Sequence, residues 1–370
     1  MNQDPLHAGR EFRDALPTGT VRGRGAGLNP GNRFEDVRLH VLGETLDERA
    51  AESPGGVQVR TKTLDDSTRS IINAVDSPDL SFKWTVNPYR GCEHGCIYCY
   101  ARPGHEYLGL SSGLDFETTI IAKHEAPTLL RKELSAKKWR GESIVMSGVT
   151  DCYQPLEREL RITRRCLEVC LEFRQSVSII TKNALVLRDI DLISRLHEHR
   201  LVAVALSITT LDAGLARVME PRASVPKERL RALRELSAVG VPTTVMTAPI
   251  IPAINDHEIP AILAAAAEAG ARSAGYVLLR LPYQIKALYE DWLRRHFPDR
   301  AEKALSLLRS TRGGELYDAT AFTRMKGTGP YAAQIRSTFT TFAKRHRFNQ
   351  HRTGLNTAAF RRPGEQTLFD

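Results

Sequence analysis

The sequence holds no apolar run approaching the roughly 18–20 residues needed to cross a bilayer. Its N-terminus, MNQDPLHAGREFRDALPTG, carries acids and has no apolar stretch of the kind a secretory signal requires. Membrane insertion and export are both disfavoured, and the cytoplasm is the expected compartment. Cysteine is scarce as well: six in 370 residues are too few for a disulfide scaffold. Acidic charge is in the minority, with 43 Asp and Glu against 52 Lys and Arg, a formal net charge of +9. At 42% hydrophobic and 26% charged residues, the composition is that of a folded globular chain, neither disordered nor collagen-like. Its length suffices for one large barrel or a sizeable core with extensions.

What is present is unevenly placed. Residues 281–370 hold sixteen basic and eight acidic side chains, so nearly all the excess positive charge lies in the last quarter. The run Lys344–Arg352 (KRHRFNQHR) and the pair Arg361-Arg362 stand out there. Such a patch suits a phosphate-rich partner such as nucleic acid; the plainer reading is a solvated tail. Three of the six cysteines fall within eight residues, Cys92-Glu-His-Gly-Cys96-Ile-Tyr-Cys99. The others are Cys152, Cys166 and Cys170.

The first part of the chain shows no apolar periodicity and is rich in Gly, Arg and acids, as in Gly23–Phe34 and Glu52–Gly56. Residues 1–78 are read as a partly disordered arm. Short β-branched runs then alternate with amphipathic ones. Strands are predicted at Lys83–Asn87, Ser143–Ser147, Val177–Thr181, Leu201–Ser207, Thr243–Thr247 and Gly275–Arg280, apolar nearly throughout as if buried on both faces. Helices are predicted at His124–Trp139, Leu160–Arg174, Asp189–His199, Pro226–Val239 and His257–Ala269. Six strands alternating with helices predict an α/β fold with a parallel sheet, a partial (β/α)6 TIM-like barrel over residues 79–283; a doubly wound sheet is the alternative. Either places the ligand site at the carboxyl ends of the strands. Residues 284–370 are expected to form a helical, basic C-terminal extension.

The cysteine trio follows the first predicted strand on a loop opened by Asn87-Pro88-Tyr89-Arg90-Gly91, where Pro88, Gly91 and Gly95 permit a tight wrap. Haem attachment needs His after the second Cys of a CxxC pair, and Tyr100 stands there instead. Zinc would need a fourth ligand, which His94 or His105 could supply, although zinc ribbons usually show two separated pairs. A ferredoxin run would have a fourth nearby cysteine. Three cysteines suit a [4Fe–4S] cluster with one iron left open; redox use of Cys96-Ile-Tyr-Cys99 would leave Cys92 unexplained.

The spacing Cys92-x3-Cys96-x2-Cys99, with Tyr98 before the last cysteine, resembles the motif of the radical SAM enzymes. The wider segments SPDLSFKWTVNPYRGC, TDCYQPLE, RDIDLI, SITTLD, EPRA, LLRLP and RGGELYD resemble a bacterial radical SAM group distantly related to the spore photoproduct lyases. The resemblance implies two cofactors, a [4Fe–4S] cluster on Cys92, Cys96 and Cys99 and S-adenosylmethionine on the open iron. It further implies reductive cleavage to a 5′-deoxyadenosyl radical that abstracts hydrogen, with a reducing partner such as flavodoxin or ferredoxin.

By the same resemblance Tyr98 lies near the adenine. Ser147, Gly148 and Asp151, at the end of the second strand, replace the family's Gly-Gly-Glu-like segment and are assigned to the methionyl ammonium. Lys182 is assigned to the methionyl carboxylate, Ser207 and Thr209 to the ribose, and Arg280 to a carboxylate or the substrate. Against these stand plainer readings: a packed core tyrosine, a helix cap or an Arg158 salt bridge for Asp151, a loop lysine, strand-ending hydroxyls and a structural arginine pair. Cys152, beside Asp151, is a candidate hydrogen donor by analogy with the photoproduct lyases, against the reading of a small buried hydrophobe. The tail Gln366-Thr367-Leu368-Phe369 resembles, one residue short, the segment by which DNA-associated proteins dock on a sliding clamp. The expected substrate is a nucleic acid base or nucleotide; the alternatives are a peptide or small metabolite, or a non-catalytic iron–sulfur sensor that binds nucleic acid.

Overall fold

The computed structural model describes residues 21–34, 58–350 and 354–364, with the backbone of two short strands at 12–13 and 41–42. In chain order the strands are β1 (Phe12–Arg13), β2 (Val41–Leu42), β3 (Lys62–Asp65), β4 (Ile72–Ala74), β5 (Trp84–Val86), β6 (Tyr89–Arg90), β7 (Thr119–Ala122), β8 (Ile144–Met146), β9 (Val177–Thr181), β10 (Val202–Ser207), β11 (Thr243–Ile250) and β12 (Ser273–Leu278). β5, β8, β9, β10, β11 and β12 lie side by side in that order, all parallel, and β4 pairs antiparallel on the outer edge of β5. β3, β7 and β6 form a separate small sheet beside the cysteine loop, and β1 pairs with β2.

Strand order decides between the two architectures. Helical segments Ala126–Ser135, Ile162–Glu172, Ile190–Glu198, Pro226–Ala238 and Ile259–Glu268 connect successive parallel strands. Such crossovers are right-handed almost without exception. Because the order never reverses, each crossover leaves its helix on the same face. A doubly wound sheet needs one reversal and helices on both faces, so the fold is a partial barrel.

The barrel also corrects the expectation of strands buried on both faces. In β9, Val177, Ile179 and Thr181 are buried while Ser178 and Ile180 are only half-buried, and Ala203 and Ala205 of β10 repeat the alternation. The half-buried set lines the barrel's open interior. Its short side chains leave a cavity of about 640 Å³, which runs past Ser178, Ala203, Ala205 and Thr244 to the N-terminal ends of the strands at Lys83 and Arg140.

Gly240 and Gly270, just past their helices, take φ of +84° and +91°, the left-handed stop that only glycine adopts cheaply. Asp212 starts helix Ala213–Met219 by accepting from the backbone N–H of Gly214 and Leu215. β12 ends at Leu278, so Arg280 lies two residues beyond the strand that was expected to end on it.

Helices Ile285–His296 and Pro298–Ser310 do not stand apart as an extension. Leu288, Trp292 and Leu305 share one hydrophobic cluster with Ile97 and Tyr98 of the cysteine loop. Helix Gly329–Arg345, within the region expected to be helical, packs on Ile259–Glu268. Beyond it Phe348 is buried, Asn349 pairs with both backbone groups of Ala274 on the free edge of β12, and Arg362 donates to the carbonyls of Ala136 and Trp139. The last two residues of the Lys344–Arg352 run, the segment Glu52–Gly56 and the Gln366–Phe369 tail lie outside the described residues. No helix among the described residues is long and apolar enough to cross a membrane.

Candidate metal centre and cofactor site

The cysteine loop sits at the carboxyl end of β5 and is held from every side. Cys92 N–H donates to Phe116 (2.9 Å), and Ile97 N–H donates to Met219 (3.1 Å). Gln154 accepts from Glu93 N–H (2.8 Å) and donates to the Gly91 carbonyl (3.2 Å), clamping the loop's start. Arg102 donates through Nε and Nη2 to the Cys96 carbonyl (3.1 and 2.9 Å) and pairs with Glu117 at 2.5 Å, both side chains being fully buried. Glu117 in turn accepts from the backbone N–H of Gly25 and Ala26, each at 2.9 Å. The segment 21–34, read from the sequence as arm, is therefore part of the site. A Cβ on Gly25 would lie 2.0 Å from the Gly95 carbonyl oxygen, so only glycine fits there.

Two polar hubs underlie the loop. At the first, Glu220 accepts from Thr209 Oγ1 (2.5 Å), from the Tyr98 hydroxyl and from Arg229 Nη2. Burial alone would raise this carboxyl, but Arg229 and Lys182 hold it at about 2, ionised at neutral pH. Lys182 Nζ lies 5.7 Å from the Tyr98 ring centroid, toward Cys96. At the second hub Asp151 accepts from Thr181 Oγ1 (2.7 Å), Tyr153 N–H (2.8 Å) and Lys182 N–H (2.8 Å), with His94 Nδ1 at 3.4 Å. The Asn183 amide lies 3.2 Å from His94 Nε2; donating there, it leaves Nδ1 to donate to Asp151. The barrel mouth proper shows Tyr100, whose hydroxyl donates to the Gly148 carbonyl (2.6 Å), and Arg280, whose guanidinium carbon is 5.5 Å from the Tyr100 ring centroid.

Residues 86–266 match the family model of the radical SAM superfamily. An uncharacterized protein of Mycobacterium tuberculosis is 33% identical over 244 residues, which is 65% of this chain and 72% of that protein.

The chain belongs to the radical SAM superfamily.

An uncharacterized protein of Methanocaldococcus jannaschii is 32% identical over 176 residues, covering 48% of this chain and 63% of its own length. Among solved structures, spore photoproduct lyase complexed with dinucleoside spore photoproduct shares the fold, with a TM-score of 0.54 at 14% identity over 82% of this chain and 92% of that one. A mutant of the same lyase with bound AdoMet and dinucleoside spore photoproduct gives a TM-score of 0.55 at 14% identity, with the same coverage. As a radical SAM enzyme the chain is expected to use S-adenosylmethionine and an iron–sulfur cluster.

The residues fit a cluster. Cys92 and Cys96 are 6% and 8% exposed, and Cys99 is half-buried. Burial pushes all three thiols up, Cys96 to about 12 against the opposing charge of Lys182. Among the described residues no three Cys, His, Asp or Glu side chains close on a single-ion site. Gly91 and Gly95 take φ of +79° and +66°, and a Cβ on Gly95 would meet Glu117 Oε2 at 2.7 Å.

Several residues singled out from the radical SAM resemblance sit differently from their expected roles. The four acceptor positions of Asp151 are taken up by the chain itself, so it braces the ends of β8 and β9 and has no lone pair left for a methionyl ammonium. It neither caps a helix nor pairs with Arg158. Thr209 is fully buried with its hydroxyl committed to Glu220, away from any ribose. Cys152 is fully buried in the main core with Cys166 and Cys170, and does not open on the mouth. Tyr98 stays beside the loop, with its hydroxyl turned to Glu220.

Ser147, at φ +73°, accepts from Cys152 N–H (2.8 Å). Gly148 packs on Thr85 so closely that a Cβ would lie 2.5 Å from Cγ2. Ser207 is buried, and its carbonyl accepts from Arg229 (3.0 Å).

The segments TDCYQPLE and EPRA contain site residues to which sequence position assigned no role. Gln154 holds the cysteine loop, Glu220 anchors Tyr98, and Arg222 meets Glu93 at 3.1 Å and donates its N–H to the His94 carbonyl.

Proposed function

We propose that this radical SAM enzyme abstracts hydrogen from a nucleic acid base or another nucleotide-containing substrate held in the open barrel. When bound, the cluster and S-adenosylmethionine supply reductive cleavage of the sulfonium and the abstraction itself, with electrons from a protein such as flavodoxin or ferredoxin. Cys92, Cys96 and Cys99 would hold the cluster. Lys182 would neutralise the methionyl carboxylate, and Ser147, Gly148 and Ser207 would line the remainder of the cofactor's bed.

The observation that carries the substrate reading is Arg280. Its Nε is buried without a hydrogen-bond partner, and its guanidinium carbon lies 5.5 Å from the ring centroid of Tyr100, whose hydroxyl meets the Gly148 carbonyl beyond the end of β8. A buried guanidinium nitrogen without a partner wants an anion, and the phosphate of a nucleotide meets that need. The dinucleoside spore photoproduct bound in the structurally similar lyase agrees in kind.

The test is anaerobic reconstitution followed by dithionite reduction, reading 5′-deoxyadenosine. Nucleic acid, peptide and small-molecule fractions from cells grown in deuterated medium are then supplied separately. Deuterium is expected in 5′-deoxyadenosine from the nucleic acid fraction. Label from the peptide or small-molecule fraction alone would overturn the substrate class.

A further inference from the structure

Three of the five exposed aromatics among the described residues lie together. Tyr107, Tyr283 and Phe34 are 74%, 63% and 56% exposed, and all three surround one guanidinium. Arg33 Cζ lies 3.9 Å from the Tyr283 ring centroid, 4.7 Å from that of Phe34 and 5.9 Å from that of Tyr107. Phe34 and Tyr107 are themselves 5.0 Å apart and inclined at 39°. Arg33 is locked by the buried Glu106 (3.0 Å), Asn32 donates to the Glu106 carbonyl (2.7 Å), and Gln284 donates to the Gly31 carbonyl (3.3 Å). The rings are thus held on a fixed frame drawn from three distant parts of the chain.

The patch adjoins the site. Tyr283 follows Arg280 by three residues, a reach of at most about 11 Å, and Tyr107 follows the last cysteine by eight. Lys286 stands one turn along from Tyr283, its N–H donating to the Tyr283 carbonyl. Neither Arg280 nor Lys286 makes an ion pair among the described residues. A monomeric protein seldom leaves such rings in water without a use for them.

We infer that this rim is a stacking platform for a single-stranded nucleic acid, leading an unpaired nucleotide toward the mouth. The inference rests on the nucleotide reading of Arg280. Flat rings with cations between them are the surface on which unpaired bases stack while phosphates find charge. An apolar peptide would leave the cations Arg280 and Lys286 without counter-charges, which phosphates supply. The rim also relocates the nucleic acid interface. The basic C-terminal quarter had been the candidate, but Arg362 is fastened at Ala136 and Trp139, before β8 and at the opposite end of the strands from the cysteine loop.

The test is fluorescence anisotropy of a labelled 12-nucleotide oligothymidylate with the full chain, needing neither cluster nor cofactor. Binding should weaken with salt at a log–log slope of roughly −1.4, for two phosphates neutralised by Arg280 and Lys286. Tyr107→Ala and Tyr283→Ala should each raise Kd by about five- to tenfold, whereas Tyr283→Trp should keep the affinity. Lys344→Gln and Arg345→Gln should leave it unchanged. Circular dichroism of each variant separates lost contact from lost fold.

No binding by the natural chain at low salt, or binding weakened only by the two tail substitutions, would overturn the platform. A duplex bound as tightly as the single strand, or displacement of the oligonucleotide by an aromatic-rich peptide pool, would do the same. Deuterium transfer from nucleic acid with aromatic variants that bind normally would refute the rim and spare the reaction. Oligonucleotide binding without label transfer would refute the reaction and spare the rim.

Discussion

Replacing Glu117 by Ala removes the buried carboxylate that joins Arg102 and the backbone of Gly25 and Ala26 beside the cysteine loop. Arg102 would be left fully buried without its counter-charge, a loss of about 3–5 kcal/mol. The lower end applies, because Arg102 keeps the carbonyls of Cys96, Ser112 and Gly113. The N–H groups of Gly25 and Ala26 lose their acceptor as well, at about 1–3 kcal/mol each if they stay buried. The backbone at Gly25 and Ala26 can instead draw back locally to water while Asn29 and Asn32 keep the rest of the segment docked, which caps the total near 5 kcal/mol but frees the loop. That is a large share of the roughly 5–15 kcal/mol that holds a folded domain together. Glu117→Gln keeps the size and one acceptor oxygen, so it should lose about half as much.

The assay is urea unfolding of the metal-free chain, paired with iron bound per chain after anaerobic reconstitution. The expected order is wild type, then Gln, then Ala, in both readouts. An Ala variant matching wild type in midpoint and iron content would refute the claim that this buried pair organises the loop.

Gly25→Ala should cost most of the bound iron although the residue lies 67 positions before Cys92, because its Cβ would meet the Gly95 carbonyl oxygen at 2.0 Å; iron analysis after reconstitution checks it. Glu220, held at about 2 when folded against an ordinary value of 4.5, contributes stability that is complete above about pH 4.5 and fades as pH falls toward 2. Arg229→Met removes the main charge opposing burial, so Glu220 should titrate higher and acid destabilisation should begin nearer neutral pH. Urea midpoints from pH 3 to 7 that run parallel in variant and wild type would contradict this. Cys152→Ala should leave 5′-deoxyadenosine formation unchanged and lower stability by about 1 kcal/mol through a small core void; loss of turnover in a stably folded variant would restore it as a hydrogen donor.

What was legible in the sequence was what short spacing carries. β9 matches its predicted bounds, and the core helices fall within a few residues of theirs, because apolar periodicity and glycine stops act over one or two turns. Arg280 was seen as a mouth residue through its place after a strand, although that strand ends two residues earlier. Asp151, Thr209 and Cys152 were misread because strand-end position says nothing about which way a side chain turns. Thr209 turns to Glu220 and Cys152 into the core, while the oxygens of Asp151 are taken by β9 and His94.

The sequence by itself singled out the three candidate cluster ligands, since three thiols within eight residues need no distant partner to be recognised, and the order of the six parallel strands and the helices between them. Only the tertiary structure decided what fastens them. Glu117 meets Gly25 across 92 positions, Tyr98 meets Glu220 across 122, and Arg33 lies under Tyr283. Such pairings form when folding brings remote segments into one dry space, where a carboxylate must find a cation or donors. Local spacing carries no record of which remote segment supplies them.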